Sequence, residues 1–274
     1  MHKISAMTIR NWIYERSISG LPTFSYEEAK DAFSNLSEQV VSNELYRLAN
    51  QKIIVSPYKR FYVIIPPHYA AKGVVPPYYY IDHLMRYLNR PYYVSMLSAA
   101  ELLGAAHQRP QRFYVTTEFP SFQSSKKKNS LLAWQFRNKI PNSFLQTKNT
   151  ETGRVSFSSP ELTAVDLVQY ARSIGGLSRA ATMLAELVEV MDVSKITEEI
   201  LDYTTVSTLQ RLGYMLEHVI ESQDQADGLY DLLVRLGKRF GYVPFSHFTV
   251  CGNEVERDKR WKILINIEIE MDDI

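Results

Sequence analysis

The sequence predicts an α+β fold, with a small N-terminal unit made of helices and a hairpin, followed by a larger mixed α/β domain. Apolar residues recur at helical spacing between positions 37 and 51, and two β-branched and aromatic runs follow at 53–55 and 61–65. Isoleucines alternate with other residues near the C-terminus. At 274 residues, with 45% hydrophobic and 22% charged residues, the chain is long enough for two domains with a substantial core.

The segment from Ser37 to about Gln51 predicts an amphipathic helix. Ser37 suits the N-cap position, where its hydroxyl can accept a hydrogen bond from a backbone amide of the first turn. The face expected to pack inward is formed by Val40, Val41, Leu45 and Leu48. The other face carries side chains that can bond to base edges and phosphates, at the end that a recognition helix directs into the major groove. The candidate DNA-contacting residues of this helix are Gln39, Ser42, Asn43, Tyr46 and Arg47.

The neighbouring segments complete a winged helix-turn-helix pattern. A short helix is expected after a cap at Ser25, and residues 34–36 provide the turn before the longer helix. Downstream, residues 56–60 separate the two strand-like runs, which predicts a hairpin with a basic tip. Lys59 and Arg60 at this tip are candidates for phosphate or groove contacts. Many wings turn on a glycine, and this hairpin contains none.

Proline pairs at 66–67 and 76–77 mark a domain boundary. We therefore expect a winged helix-turn-helix domain at 1–66, a linker at 67–77 and a mixed α/β domain at 78–274. Residues 112–116 and the alternating isoleucines at 263, 265, 267 and 269 predict strands. The expected helices are Lys3–Arg16, Ile81–Leu88, Val94–Leu103, Ile196–Tyr203, Val206–Ile220 and Leu229–Phe240.

The net charge of +1 is the sum of a basic middle segment and an acidic C-terminal segment. Residues 1–65 hold 8 Lys and Arg against 6 Asp and Glu, residues 66–140 hold 10 against 3, and residues 141–274 hold 13 against 21. Because a concentrated positive field attracts polyanions, the middle segment is a second candidate surface for nucleic acid. A solvated basic loop would also explain it. The basic residues concerned are Arg109, Arg112, Lys126, Lys127, Lys128, Arg137 and Lys139.

We find no membrane, targeting or multi-thiolate metal signal in this sequence. There is no apolar run of about 18 residues and no charged-then-apolar leader, so we expect a cytoplasmic protein with no membrane partner. A single cysteine, Cys251, cannot form an intramolecular disulfide or a multi-thiolate zinc site. We expect no metal and no cofactor.

Two segments carry a family resemblance: PYYVSMLSAAELLGAAHQRPQRFYV at 91–115 and TGRVSFSSPELTAVDLVQYARSIGGLSRAATMLAEL at 152–187. Together with the N-terminal pattern, they resemble the AbiEi-type antitoxins of type IV toxin–antitoxin systems, which act in abortive infection of phage-infected cells. Leu103 departs from the family pattern. The resemblance implies a protein that represses its own operon by binding repeats in double-stranded operator DNA. It also implies that the protein counteracts a nucleotidyltransferase-like toxin without forming a stable complex with it.

The obvious catalytic motifs are missing, so we expect a protein that is not an enzyme and has no catalytic residues. There is no phosphate-binding glycine loop, no nucleophile elbow, no H-E-x-x-H helix and no Gly-Ser pair of a nucleotidyltransferase. Two alternatives remain open. One is a DNA-targeted enzyme, a nuclease or modifying transferase, that draws its site from Glu118, Glu161, Asp166 and the basic residues around Lys126. The other is an interaction scaffold whose wing binds protein.

Overall fold

The computed structural model describes residues 7–71, 74–105, 110–122, 131–250 and 255–271, and it confirms the α+β class. The chain divides into two compact units. The first comprises Met1–Tyr92, Thr117–Phe136 and Thr147–Ser156, and the second comprises Tyr93–Thr116, Arg137–Gln146 and Phe157–Ile274. The segment 67–77, where a linker is expected, lies inside the first unit. No helix among the described residues is long and apolar enough to cross a membrane.

The first unit begins with three helices and three strands. The strands pair antiparallel in the order β1-β3-β2. In chain order the elements are α1 (Ile9–Ile18), β1 (Thr23–Ser25), α2 (Tyr26–Ala32), α3 (Glu38–Asn50), β2 (Ile54–Tyr58) and β3 (Phe61–Ile64).

Serine and threonine caps set where these three helices begin. Ser25 Oγ accepts a hydrogen bond from the Glu28 amide (3.0 Å), and the Glu28 carboxylate accepts one from the Ser25 amide (2.7 Å). Ser37 Oγ accepts from the Val40 amide (3.3 Å), as expected for the N-cap of α3. The first helix starts later than the predicted Lys3–Arg16, because Thr8 caps it and Ile9 is its first residue. Residues 3–6 lie outside the described part of the chain.

Apolar side chains from all three helices and the sheet meet in one core. Val41, Leu45 and Leu48 of α3 are buried, but Val40 is 49% exposed, so its predicted inward position is wrong. One residue along a helix is a rotation of about 100°, which places Val40 outside the arc that Val41 occupies. The core contains Ile9, Ile13, Phe24, Tyr26, Ala29, Phe33, Val41, Leu45, Leu48, Ile54 and Ile64.

The middle of the chain supplies short helices and a second sheet. Its five strands are hydrogen-bonded in the order β6-β5-β4-β8-β7. Val94 belongs to β4, paired in parallel with Phe157 of β8, so the predicted helix at 94–103 begins only at Met96. The elements are α4 (Pro67–Ala70), α5 (Ile81–Tyr87), β4 (Tyr92–Val94), α6 (Met96–Leu103), β5 (Phe113–Glu118), β6 (Leu132–Arg137), β7 (Leu145–Thr150) and β8 (Gly153–Ser158).

Helices dominate the remainder of the second unit. Ser159 caps the first of them, its hydroxyl accepting from the Leu162 amide (3.3 Å), and residues 160–168 are buried throughout. The described C-terminal strands form a sheet in the order β10-β11-β9. The elements are α7 (Pro160–Gln169), α8 (Ala171–Ile174), α9 (Leu177–Leu187), α10 (Val206–His218), α11 (Gln223–Arg235), β9 (Val243–Pro244), β10 (Glu256–Asp258) and β11 (Ile263–Ile265).

Three sequence predictions in this region need correction. The segment 196–203 forms a 3-10 turn at Glu198–Asp202 rather than an α-helix. The last helix ends at Arg235 instead of residue 240, since Leu236 caps it and Gly237 has a positive φ of 63°. The terminal strand covers Ile263–Ile265 and does not continue through residues 267 and 269.

Candidate functional site

The solvent face of α3 carries all five predicted DNA-contacting residues of that helix. Each has an exposed side chain, whereas Val41, Leu45 and Leu48 on the other face are buried. The structure therefore brings these five residues together on one helical surface. They are Gln39, Ser42, Asn43, Tyr46 and Arg47.

Hydrogen bonds orient the polar side chains at the N-terminal end of α3. Gln39 Nε2 donates to Asn43 Oδ1 at 2.8 Å, one helical turn away. Ser42 Oγ donates to the Tyr26 hydroxyl (3.3 Å), which in turn donates to the Glu38 carbonyl (3.2 Å). These bonds reduce the number of rotamers open to the Gln39, Ser42 and Asn43 side chains, which lowers the entropic cost of ordering them on a ligand.

Arg47 is held by a carboxylate of its own helix. Its Nε and Nη2 atoms donate to the two oxygens of Glu44, at 2.8 and 2.5 Å. This side-chain hydrogen bond lowers the pKa of Glu44. A phosphate that binds Arg47 must therefore compete with Glu44 for the guanidinium.

The hairpin tip is narrower than the predicted 56–60 loop. Tyr58 pairs with Phe61, so only Lys59 and Arg60 form the turn, and β2 absorbs residues 56–58 with a bulge. Arg60 takes the positive φ (59°) that a glycine would often supply in such a turn. The side chains of Lys59 and Arg60 are both exposed.

Arg60 is anchored to α2 through its side chain and its backbone carbonyl. Arg60 Nε lies 2.7 Å from Glu27 Oε1, and its guanidinium carbon lies 4.2 Å from the centre of the Tyr26 ring. The Arg60 carbonyl also accepts a hydrogen bond from the Tyr26 amide (2.8 Å). The turn is thus fixed beside the start of α2.

Sequence reasoning missed Val40 as a surface residue of this helix. Its half-exposed side chain is next to Gln39 and one turn before Asn43. An exposed apolar side chain on a recognition helix can contact a thymine methyl group. The missed signal was the angular position of Val40, which lies about 100° around the helix from Val41 and outside the arc that Val41, Leu45 and Leu48 share.

The predicted second basic surface is only partly described. Arg112 and Lys139 are exposed, whereas Arg109 and the three lysines at 126–128 lie outside the described residues. Arg137 is 6% exposed, so the prediction that it forms part of a basic surface is wrong. Its guanidinium is turned inward because it lies 3.6 Å from the buried carboxylate of Asp166 and donates to the Tyr203 carbonyl (2.8 Å).

A buried polar cluster surrounds Asp166. The Tyr93 hydroxyl donates to Asp166 Oδ2 (2.8 Å) and accepts a hydrogen bond from Arg137. Burial raises the pKa of Asp166 to about 6, although Arg137 and Tyr93 act in the opposite direction. Burial also raises the pKa of Tyr93 well above its usual value.

Two of the three acidic residues considered for an enzyme site, Glu161 and Asp166, lie in the interior, whereas Glu118 is partly exposed. Glu161 is 3% exposed and accepts a hydrogen bond from the Asp192 amide (3.1 Å). Asp166 is fully buried in the cluster described above. Among the described residues, no group of three or more His, Cys, Asp and Glu side chains could hold a metal ion. Both carboxylates are therefore turned into the interior and are not presented at the surface.

Comparison with known proteins found a similar solved structure for most of the chain and a matching family model for its central segment. The chain is similar to the crystal structure of the RV2827C protein from Mycobacterium tuberculosis, with a TM-score of 0.65 and 17% sequence identity, over 92% of this chain and 90% of that one. At this identity the similarity shows a shared fold. No curated protein matches the chain. The family model described as AbiEi antitoxin C-terminal domain matches residues 93–218, which confirms the predicted resemblance of this segment to AbiEi-type antitoxins.

Proposed function

We propose that this protein is the antitoxin and transcriptional autorepressor of a type IV toxin–antitoxin operon. The AbiEi domain supports an antitoxin role in general. The observation that carries the DNA-binding part is the exposed polar end of α3, where Gln39, Ser42 and Asn43 lie together above a buried apolar face. A helix of this kind, preceded by a turn and followed by a hairpin, suits the major groove of operator DNA.

The proposed contacts fall into two classes. Gln39, Ser42 and Asn43 contact base edges or nearby phosphates, because amide and hydroxyl groups at this end of the helix can read the major groove. Farther along α3, Tyr46 and Arg47 contact the sugar–phosphate backbone of the DNA. Lys59 and Arg60 contact phosphate or enter the adjacent groove from the hairpin turn.

The proposal also covers how the protein acts as an antitoxin. Residues 78–274 would counteract a nucleotidyltransferase-like toxin without a stable complex, and the protein would act in the cytoplasm as part of phage defence by abortive infection. It would need no cofactor and would perform no catalysis. We propose that residues 67–77 separate this domain from a winged helix-turn-helix domain at 1–66.

Binding of the full chain to DNA tests the repressor role. Fluorescence anisotropy would compare the duplex upstream of the gene with a scrambled duplex, at two salt concentrations. Each phosphate neutralised contributes about −0.9 to the slope of log affinity against log salt. We expect tight, salt-sensitive binding that prefers the upstream duplex. No binding to either duplex would contradict the repressor role and favour protein recognition by the wing.

Two sets of variants separate base reading from backbone contact. Asn43→Ala is expected to bring the affinity for the upstream duplex closer to that for the scrambled duplex. Asn11→Ala, at an exposed position of α1, is its matched control. Unchanged discrimination in Asn43→Ala would remove this residue from the proposed contacts.

The combination of Lys59→Ala with Arg60→Ala tests the hairpin turn. It is expected to weaken binding to both duplexes and to reduce the salt slope by about 2, one unit for each lost phosphate contact. The control pair Lys238→Ala with Arg239→Ala removes the same charge outside the proposed DNA-binding domain. Equal effects of the two pairs would show that only net charge matters.

Rescue of growth in cells that express the neighbouring toxin tests the antitoxin role. The full chain and the full chain that carries Asn43→Ala, Lys59→Ala and Arg60→Ala are both expected to restore growth, because the proposed neutralisation does not use DNA. Loss of rescue in this variant would contradict the assignment of neutralisation to residues 78–274. Limited proteolysis that cuts at 67–77 and leaves two resistant fragments would support the proposed boundary.

A further inference from the structure

A cavity of about 700 Å³ lies within the second unit. Its first lining residue is Val168, far along the chain from the residues at 39–60 that are proposed to bind DNA. Its walls come from the end of α7, α8, the two glycines at 175 and 176, the first residues of α9, α10 and the loop after β9. The volume falls in the range of about 300–1,000 Å³ that is typical of small-molecule sites. Its lining includes Arg172, Gly176, Ser178, Arg211, Phe245 and Phe248.

Arg211 places a buried positive charge in the wall of this cavity. The residue is 4% exposed, and its Nε donates to the carbonyls of Pro244 (3.0 Å) and Phe245 (3.1 Å), while Nη1 donates to the Ser207 carbonyl (3.2 Å). Its Nη2 is buried and has no hydrogen-bond partner among the described residues. Burial lowers the pKa of Arg211, and no described acidic group offsets that effect. A buried guanidinium without a counter-ion is costly, so this arrangement favours an anion from outside.

The start of α9 lines the same cavity. Gly176 is its N-cap, no side chain caps it, and the first turn contains no acidic residue. The first amides of a helix lack acceptors within the helix, and the helix dipole places about half a positive charge there. Gly175 and Gly176 both have a φ near +110°, a conformation that favours glycine and leaves no side chain over these amides. This terminus and Arg211 are two independent features suited to an anion.

The rim of the cavity carries the positive charge of Arg172, and hydrogen bonds fix the loop beside it. The Arg172 guanidinium lies 4.8 Å from the centre of the Phe248 ring. Asn266 holds the loop that carries Phe248, because its amide accepts from the Ser246 amide (2.8 Å) and donates to the carbonyls of Ser246 (2.8 Å) and Thr249 (2.7 Å). Glu268 is the only carboxylate among the described lining residues.

We propose that this cavity binds a small phosphate monoester, with the phosphate held by Arg211 and the first turn of α9. Two arginines and a helix N-terminus against one carboxylate favour a dianion over a singly charged group. The aromatic rings of Phe245 and Phe248 would contact the organic part of the ligand. This site would make the antitoxin domain responsive to a small molecule, independently of its binding to operator DNA.

Calorimetric titration of the full chain tests the proposal, with phenyl phosphate, inorganic phosphate and benzoate as probes. Phenyl phosphate is expected to bind, inorganic phosphate to compete with it, and benzoate to bind at least tenfold more weakly. No detectable heat with phenyl phosphate at millimolar concentration would overturn the proposal. Benzoate binding as tight as phenyl phosphate binding would overturn the assignment of a phosphate group.

The main variant is Ser178→Glu, which places a carboxylate in the first turn of α9. A glutamate there suits the helix dipole, so the fold is expected to tolerate it, while its charge occupies the region that the phosphate needs. We expect at least a tenfold loss of phenyl phosphate affinity. Gln223→Glu makes the same kind of change at the start of α11, outside the cavity, and is expected to have no effect. Wild-type affinity in Ser178→Glu would overturn the proposal.

Arg211→Gln tests the buried charge itself, with Arg235→Gln on the exposed side of α11 as the matched control. The Arg211 variant is expected to lose at least tenfold in affinity and the control to lose none. If Arg211→Gln does not fold, as judged by its thermal unfolding, the Ser178→Glu result decides. A folded Arg211→Gln variant with wild-type affinity would overturn the role of Arg211.

Discussion

Arg137 Nη1 lies 3.6 Å from Asp166 Oδ1, and both side chains are buried. The Tyr93 hydroxyl bridges them, because it donates to Asp166 and accepts from Arg137. Arg137 also donates to the Tyr203 carbonyl (2.8 Å). These contacts make Arg137 an internal link between β6, α7 and the 3-10 turn that ends at residue 202. They also remove it from any surface that could bind nucleic acid.

Replacement of Arg137 by methionine is expected to lower the free energy of unfolding by about 3–5 kcal/mol, because it leaves Asp166 buried without its cation. Chemical denaturation of wild type and variant measures this difference. Lys139→Met is the matched control, since Lys139 is exposed and its loss is expected to cost less than about 1 kcal/mol. Equal stability of Arg137→Met and wild type would contradict an interior role for the pair.

The raised pKa of Asp166, about 6 against an ordinary 3.8, predicts how stability changes with pH. Between these two values the folded chain binds a proton that the unfolded chain releases. The stability contribution of Asp166 is therefore full below pH 3.8 and is lost as the pH rises through about 6. Asp166→Asn cannot titrate, so the unfolding free energy of wild type minus that of the variant is expected to fall across this window. A rise across the same window would show that the charge of Arg137 outweighs the effect of burial.

Gly213 of α10 faces the ring of Trp261 so closely that a Cβ at this position would lie 2.1 Å from two ring atoms. Trp261 is fully buried, so the ring cannot move aside without displacing other interior side chains. Gly213→Ala is expected to destabilise the chain by about 1–3 kcal/mol through overpacking, despite the better helix propensity of alanine. Thermal unfolding measures this. In a Trp261→Leu background the same substitution is expected to cost less, and an equal cost in both backgrounds would contradict the proposed clash.

Local signals in the sequence account for the starts of several helices. Ser25, Ser37 and Ser159 each accept a hydrogen bond from an amide three residues later in the chain. Their capping roles can therefore be predicted from the neighbouring residues alone. The exposed face of α3 follows from helical periodicity in the same way. The one error there, Val40, came from assigning two adjacent residues to the same face of a helix.

Contacts between residues far apart in the chain explain what the sequence did not predict. Val94 is a strand residue because Phe157 pairs with it. Arg137 is buried because Asp166 and Tyr203 provide its partners. Neither partner can be identified from the residues around position 94 or 137. The cavity beside Arg211 likewise depends on a loop that follows β9, and no local motif marks it.

The ion pair between Glu44 and Arg47 predicts a gain of DNA affinity on mutation. Glu44→Gln removes the carboxylate that holds the Arg47 guanidinium at 2.5–2.8 Å, which leaves the guanidinium free to bind phosphate. We expect tighter binding to the upstream and the scrambled duplex alike, by about threefold to tenfold, because one more phosphate contact carries no base information. Glu15→Gln, an equal charge change on α1, controls for the general field. The gain should vanish in a Glu44→Gln variant that also carries Arg47→Ala. If it persists there, the carboxylate acts by repelling DNA directly and not by holding Arg47.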